Sequence, residues 1–91
     1  MSKSVMQVNR RCYLCGKTVG LEKHHILGGP NRKWSEKFGL WVWLDAECHR
    51  GTEGAQYGKD LNLRLKREAQ LAFEADYGHD KWMEIFKKNY I

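Results

Sequence analysis

The chain has few of the features that mark disulfide-bonded, membrane or exported proteins. Its 91 residues contain three cysteines, an odd number, and a single proline. A framework of disulfides alone would leave one thiol unpaired, and C-x-x-C spacing is too tight for a typical stabilising bridge. No stretch approaches the roughly 20 apolar residues that a membrane span needs, and the polar first residues do not resemble a signal peptide. We therefore expect one soluble domain of the reducing cytoplasm, with no membrane partner.

Acidic residues are also in the minority. The chain carries 16 Lys and Arg against 11 Asp and Glu, a formal net charge of +5. Such an excess favours a polyanionic partner, because cations bind phosphate groups. Several cations lie next to potential metal ligands, and we predict that these contact nucleic acid: Arg11, Arg32, Lys33 and Arg50.

The pattern of apolar residues predicts an α+β domain in three parts. Residues 1–10 are expected to form a flexible leader, residues 11–58 a metal-binding core, and residues 59–91 a helical tail. Apolar runs at 21–27 and 40–44 predict two strands that pair antiparallel, with the second buried on both faces. The pairing is expected to bring His25 near Cys48 and His49. A turn at 28–31, a helical turn at 33–38 closed by Gly39, and a glycine-spaced loop at 51–58 connect these elements.

Two helices are predicted in the tail, at about 60–77 and 80–90, each with the apolar stripe of a core-facing helix. Gly78 is the expected C-cap of the first helix and Asp80 the expected N-cap of the second. We expect the tail to back the core rather than to carry chemistry.

The cysteines predict a structural metal site. Cys12 and Cys15 form a C-x-x-C pair, and Cys48 is the third thiol. Asp45 lies three residues before Cys48, on the same face of a helical turn, and is the preferred fourth ligand because zinc accepts carboxylate oxygen. His49, water or no fourth ligand are the alternatives. A redox role for the C-x-x-C pair, or a packing role for Cys48, is the competing interpretation.

The histidines predict a second, hydrolytic site. His24 and His25 end the first predicted strand, and His49 directly follows Cys48. Imidazole can take a proton from water or hold a divalent ion, so His25 is the candidate base and His24 and His49 the candidate ion ligands. His24 could instead be a structural histidine or complete the zinc site. His79 is interpreted as a capping or surface residue.

Residues 11–58 resemble the zinc-stapled HNH (His-Me finger, ββα-metal) nucleases. The tail is similar to that of small HNH-like proteins from bacteriophages, on four dipeptides: Ala69-Gln70, Phe73-Glu74, Ile85-Phe86 and Asn89-Tyr90. The resemblance implies a small ββα-metal core with a zinc knuckle and two C-terminal packing helices. It also implies structural Zn²⁺, catalytic Mg²⁺ or another divalent cation, and cleavage or nicking of double-stranded DNA. It further implies that His25 is the base and that His24 and His49 bind the catalytic ion. The protein would then be a phage protein that acts in the bacterial cytoplasm as a monomer or homodimer.

The chain departs from the family pattern at three positions. Asp45 stands where a cysteine is usual, Leu40 where the middle asparagine is expected, and Gln56 where the phage group often has a histidine. Asn31 is a possible substitute for that asparagine, or simply a turn residue. These departures support an alternative: a catalytically impaired HNH-fold module that binds nucleic acid, or inhibits a host defence protein.

A third hypothesis is a structural subunit of a phage packaging or recombination assembly. Three tryptophans, Trp34, Trp41 and Trp43, provide more aromatic surface than a core of this size needs, and their exposure would indicate an interface.

Overall fold

The computed structural model describes residues 3–50, apart from the Arg50 side chain, and residues 58–91. Gln56 and nearly all of the predicted 51–58 loop lie outside these ranges. The described elements are β1 (Leu21–His25), a 3-10 turn (Gly29–Asn31), α1 (Arg32–Phe38), β2 (Trp41–Asp45), α2 (Ala46–Arg50), α3 (Lys59–Tyr77) and α4 (His79–Phe86). The α+β class is confirmed. No described helix is long and apolar enough to cross a bilayer.

The two strands form an antiparallel pair, as predicted. His25 lies opposite Trp41, and Leu21 lies opposite Asp45. This register places His25 at the far end of the pair from Asp45, so strand pairing by itself does not bring His25 to Cys48. Instead, α2 begins after Asp45 and returns along β1, where the His49 ring contacts the ring of His24.

One face of the sheet carries the most deeply buried residues of β2, and the other is aromatic and cationic. Val42 and Leu44 are completely buried, and they share a face with His24 because cross-strand partners point to the same side. The opposite face carries Trp41 and Trp43, which contact each other edge to face. Burial of β2 on both faces is therefore confirmed except at the half-buried Trp43.

Helix α1 is attached to the end of β1 by a buried serine. The Ser35 hydroxyl donates to the Leu27 carbonyl (2.8 Å) and accepts from the Leu27 amide (3.0 Å). The helix ends at Gly39, as predicted, and Gly39 adopts the left-handed conformation (φ 70°) that suits glycine. The position of α1 relative to β1 is thus determined by two hydrogen bonds at a side chain that is 0% exposed.

The apolar faces of the two tail helices pack against the core. Leu65, Ala69 and Phe73 of α3 are buried, as are Trp82 and Phe86 of α4. The predicted stripe is confirmed at these residues, whereas Leu61, Ala72, Ile85 and Tyr90 are half-buried. Gln70 is a buried polar residue that the stripe did not predict; its side chain accepts from the Tyr90 amide (2.7 Å) and donates to Asn89 Oδ1 (2.8 Å).

Gly78 joins the two tail helices and caps both. Its φ of 85° and its amide bond to Glu74 confirm the predicted C-cap of α3. It is also the N-cap of α4, so the assignment of that role to Asp80 is wrong; Asp80 lies in the first turn, where its charge suits the helix dipole. Helix α4 ends at Phe86, short of residue 90, because Lys87 turns the chain and the Trp82 indole donates to the Lys88 carbonyl (2.8 Å).

Residues 3–10 contain no helix or strand, but they lie along the outer edge of β2. The Val5 amide donates to Gly39 (2.9 Å), the Trp43 amide donates to Gln7 Oε1 (2.6 Å), and the Ser4 hydroxyl donates to the Trp41 carbonyl. These bonds give partners to backbone groups at the outer edge of β2, which would otherwise be open. The flexibility of this leader stays a prediction.

We predict that Ser35→Ala destabilises the protein by about 1–3 kcal/mol, because it leaves a buried donor and a buried acceptor of Leu27 without a partner. The free energy of unfolding in urea measures the effect. Thr18→Ala, which removes a hydroxyl from an exposed residue, is the control and should change that free energy by less than about 0.5 kcal/mol. Equal values for the two variants would contradict the anchoring role of Ser35.

Candidate metal centre and histidine cleft

The predicted metal ligands come together at the start of α2. One ligand atom from each of Cys12, Cys15, Asp45 and Cys48 lies within 4.8 Å of the others. Cys12 is 2% exposed and Asp45 4% exposed, whereas Cys15 is at the surface. Three thiols and one carboxylate at this separation can hold a metal ion, and His49 is not part of the cluster.

Backbone hydrogen bonds shape the C-x-x-C turn and attach it to the sheet. The Cys12 amide donates to Lys17 (2.7 Å) and the Gly16 amide donates back to Cys12 (2.9 Å). Gly16 has a φ of 82°, a conformation that a side chain would disfavour. The Tyr13 amide donates to the Trp43 carbonyl (2.8 Å), which holds the turn beside the end of β2.

Asp45 serves two elements with its two oxygens. Oδ1 accepts from the Cys48 amide (2.7 Å), the bond by which an acidic N-cap begins a helix. Oδ2 accepts from the Cys15 thiol (2.8 Å) and so belongs to the ligand cluster. The bonds from Cys15 and from the Cys48 amide lower the pKa of Asp45 to about 2, so the carboxylate is ionised at neutral pH.

The three thiols differ in how readily they ionise. Burial raises the pKa of Cys48 well above its ordinary value, and the neighbouring Cys12 and Cys15 add to that increase. Burial also opposes ionisation of Cys12, but hydrogen bonds with the backbone of Asp45, Cys15 and Leu14 outweigh it and lower its pKa. Thiolates this close repel one another, so a bound cation is what would let all of them ionise.

A separate cleft of about 380 Å³ contains the predicted hydrolytic residues. Its lining includes His24, His25, His49 and Arg32, together with Lys23 and the turn glycines. The His24 and His49 rings lie edge to face with centroids 5.0 Å apart. The structure thus brings together all three histidines that the sequence singled out and one of the predicted phosphate-binding cations.

Of the other predicted cations, Lys33 lies next to this cleft and Arg11 lies away from it. Lys33 lines the adjoining cavity with His25, Arg32 and Glu36. Arg11 is exposed and lines a different cavity, beside Cys12 and Tyr13, so it is not part of the histidine cleft. The side chain of Arg50 lies outside the described part of the chain.

His24 has a buried nitrogen whose hydrogen-bonding capacity is not used. Its Nε2 is buried and has no hydrogen-bond partner among the described residues. Burial, with smaller contributions from the nearby His49 and His25, lowers the pKa of His24 to about 4. The ring is therefore neutral at physiological pH, which is the form in which imidazole binds a metal ion.

The other two histidines each contact a glutamate that sequence reasoning missed. His49 Nδ1 lies 2.8 Å from Glu22 Oε1, and His25 Nε2 lies 2.8 Å from Glu36 Oε2. Glu36 also bonds Lys23, and the bonds from Lys23 and His25 lower the pKa of Glu36. Strand alternation could have indicated Glu22, which shares a face with His24 two residues later. Glu36 reaches His25 only through the packing of α1.

Leu40, which stands where the family's middle asparagine is expected, and Asn31, its possible substitute, both make backbone hydrogen bonds that serve the fold. Leu40 is 0% exposed, and its carbonyl accepts from the Ile26 amide (3.0 Å). Asn31 closes the turn before α1, with its amide bonded to Gly28 (3.1 Å). His79 is exposed and pairs with Glu74 (2.8 Å), in agreement with its interpretation as a surface residue.

No protein-family model, curated protein or solved structure matches this chain. The family resemblance of the sequence therefore stays a hypothesis.

We predict that Asp45→Asn lowers metal content and lowers the unfolding midpoint of the metal-loaded protein. The amide keeps an oxygen for the Cys48 amide but loses the charge that favours a cation. Metal per chain by mass spectrometry, and thermal unfolding with and without chelator, measure the two effects. Glu47→Gln neutralises an exposed carboxylate of the same helix and is the matched control. Asp45→Asn protein with wild-type metal content would exclude Asp45 as a ligand.

We also predict that His24 makes stability depend on pH. Its pKa is about 4 in the folded protein against 6.5 ordinarily, so the unfolded chain binds more protons between these values. Its contribution is complete above pH 6.5 and is lost as the pH falls toward about 4. Urea unfolding from about pH 7.5 to about pH 5.5 should show a flatter profile for His24→Gln than for wild type. Parallel profiles would show that His24 is not buried in its neutral form.

Proposed function

We propose that this protein is a metal-dependent HNH endonuclease that hydrolyses phosphodiester bonds in double-stranded DNA. The observation that carries the proposal is the buried, unpartnered Nε2 of His24 beside the His49 ring, in one cleft with His25 and Arg32. An unused nitrogen at such a position is costly unless a ligand occupies it. Phage origin and a location in the bacterial cytoplasm belong to the same proposal.

His24 and His49 are the proposed ligands of the catalytic ion. His24 presents Nε2, and the contact of His49 Nδ1 with Glu22 leaves Nε2 as its other ring nitrogen. Bound Mg²⁺, or a similar ion, supplies a Lewis acid for the phosphate and for the leaving oxygen. Two protein ligands suit Mg²⁺, which commonly keeps several waters and substrate oxygens in its shell.

His25 is the proposed general base, taking the proton from the attacking water. Its side chain is 13% exposed, so it reaches the cleft while most of the ring is held by protein. Arg32 and Lys33 stand at this end of the cleft, where their charges would hold the phosphates on either side of the scissile bond. Arg11, which lies outside the cleft, and Arg50 are proposed to contact the DNA backbone.

Zn²⁺ is the proposed occupant of the cysteine cluster. Ligands of a tetrahedral zinc with bonds of about 2.3 Å lie roughly 3.8 Å apart, slightly less than the 4.8 Å limit of the cluster. Separations near that limit would have to shorten, and the 2.8 Å separation of Cys15 Sγ and Asp45 Oδ2 would have to lengthen, for these atoms to bind one zinc ion. Its role is structural, because it would connect the C-x-x-C turn to the first turn of α2 and so support His49.

The alternative is a binding module that keeps this scaffold without turnover. Two observations favour it. In the part of the chain that the structure describes, no third side chain joins His24 and His49 in a group of metal ligands, and Leu40 packs in the core. Such a module would use the same cations to hold nucleic acid, or another surface to inhibit a host defence protein. Hydrolysis by the purified protein separates the two functions.

We predict that purified protein nicks or linearises plasmid DNA when Mg²⁺, Mn²⁺ or Ni²⁺ is added, and that His25→Ala abolishes the cleavage without weakening DNA binding. Loss of a general base lowers the cleavage rate about 10²- to 10⁴-fold, whereas DNA binding depends mainly on the Lys and Arg side chains. Gel-based cleavage and fluorescence anisotropy measure rate and affinity.

His79→Ala is the matched control, because His79 is an exposed histidine that pairs with Glu74, away from the cleft. It should cleave at the wild-type rate. Intact plasmid under every ion, from zinc-loaded protein that binds DNA, would overturn the nuclease and favour the binding module. Equal cleavage by His25→Ala and wild type would exclude His25 as the base.

A further inference from the structure

We propose that Glu36 is the positioning residue for His25: its carboxylate holds the proton on Nε2 and so presents Nδ1 to the attacking water. This inference rests on the proposed nuclease function, and it adds to it a residue and a specified ring nitrogen. It also makes a statement about His25 that can be checked without any cleavage.

The contact between the two side chains determines which nitrogen carries the proton. His25 Nε2 lies 2.8 Å from Glu36 Oε2. An ionised carboxylate can only accept hydrogen bonds, so a neutral imidazole at this distance must donate from Nε2. Nδ1 then has its lone pair free of the carboxylate. The same logic orients the base in carboxylate–histidine pairs of other hydrolases, where the carboxylate selects the tautomer.

Glu36 is itself held in place from two directions. Lys23 Nζ lies 2.9 Å from Oε1 and 2.7 Å from Oε2, and the same ammonium group lies 4.3 Å from the centre of the Trp41 ring. The neighbouring residue, Ser35, anchors α1 to Leu27, two residues after His25. The carboxylate therefore approaches His25 from a helix whose register with the strand is set by buried hydrogen bonds.

A purely structural role for Glu36 would be the ion pair with Lys23. In that case the state of the His25 ring would not depend on Glu36, and removal of the carboxylate would change stability alone. The tautomer of His25 is the readout that separates the two roles. It is observed in nitrogen-15 NMR spectra, where the protonated and unprotonated ring nitrogens have different shifts.

The experiment compares zinc-loaded wild type, Glu36→Gln and the control Glu74→Gln. Glu74 forms a glutamate–histidine contact of the same length with His79, away from the cleft. We expect the neutral imidazole of wild-type His25 to carry its proton on Nε2. In Glu36→Gln the two tautomers should mix, single-turnover cleavage should fall about 10- to 100-fold, and DNA affinity should stay within about twofold. Glu74→Gln should leave all three unchanged.

Three results would overturn the proposal: a wild-type His25 protonated on Nδ1, an unchanged His25 tautomer in Glu36→Gln, or cleavage by that variant at the wild-type rate. The wild-type spectrum decides the matter even where Glu36→Gln does not fold. If wild type cleaves no DNA with any ion, the proposed function fails by itself, and the tautomers of wild type and variant still decide whether Glu36 orients His25.

Discussion

The arrangement of both sites depends on the Asp45 carboxylate, whose two oxygens each accept a separate hydrogen bond. One oxygen begins α2 by accepting from the Cys48 amide, and the other meets the Cys15 thiol in the ligand cluster. Helix α2 is only five residues long, too short to be stable without tertiary support. Its direction, and with it the contact of His49 with His24, therefore follows from how this carboxylate and the cysteines hold its first turn.

The histidine cleft combines three rings in different electrostatic settings. His24 is neutral because it is buried, whereas His25 and His49 each face a glutamate. Lys23 and Arg32 line the same cleft. Under the proposed function, the uncharged ring would hold an ion, a second ring would accept a proton, and the positive charge would bind the substrate.

The remaining elements keep this small site rigid. Ser35 attaches α1 to the end of β1, and the tail helices cover the core with interlocking rings, among them Phe73 and Trp82 with centroids 5.5 Å apart. The Tyr13 hydroxyl bonds Glu68 of α3, which joins the C-x-x-C turn to the tail. Trp41 and Trp43 lie on the other face of the sheet beside residues 3–10, so two of the three tryptophans named as candidates for an interface are partly covered by the chain itself.

Local chemistry was enough to predict the two strands, the tail helices and the four cluster ligands, because turns, apolar periodicity and thiol spacing depend on near neighbours along the chain. Even there, the end of α4 and the role of Asp80 were decided by distant contacts, such as the Trp82 indole with the Lys88 carbonyl. Tertiary structure alone decided which histidine meets which partner. Glu36 lies eleven residues from His25 on a separate helix, and Glu22 lies twenty-seven residues from His49. The physical reason is that hydrogen bonds between side chains depend on helix register and strand pairing together, and neither is encoded in the spacing of the residues that they join.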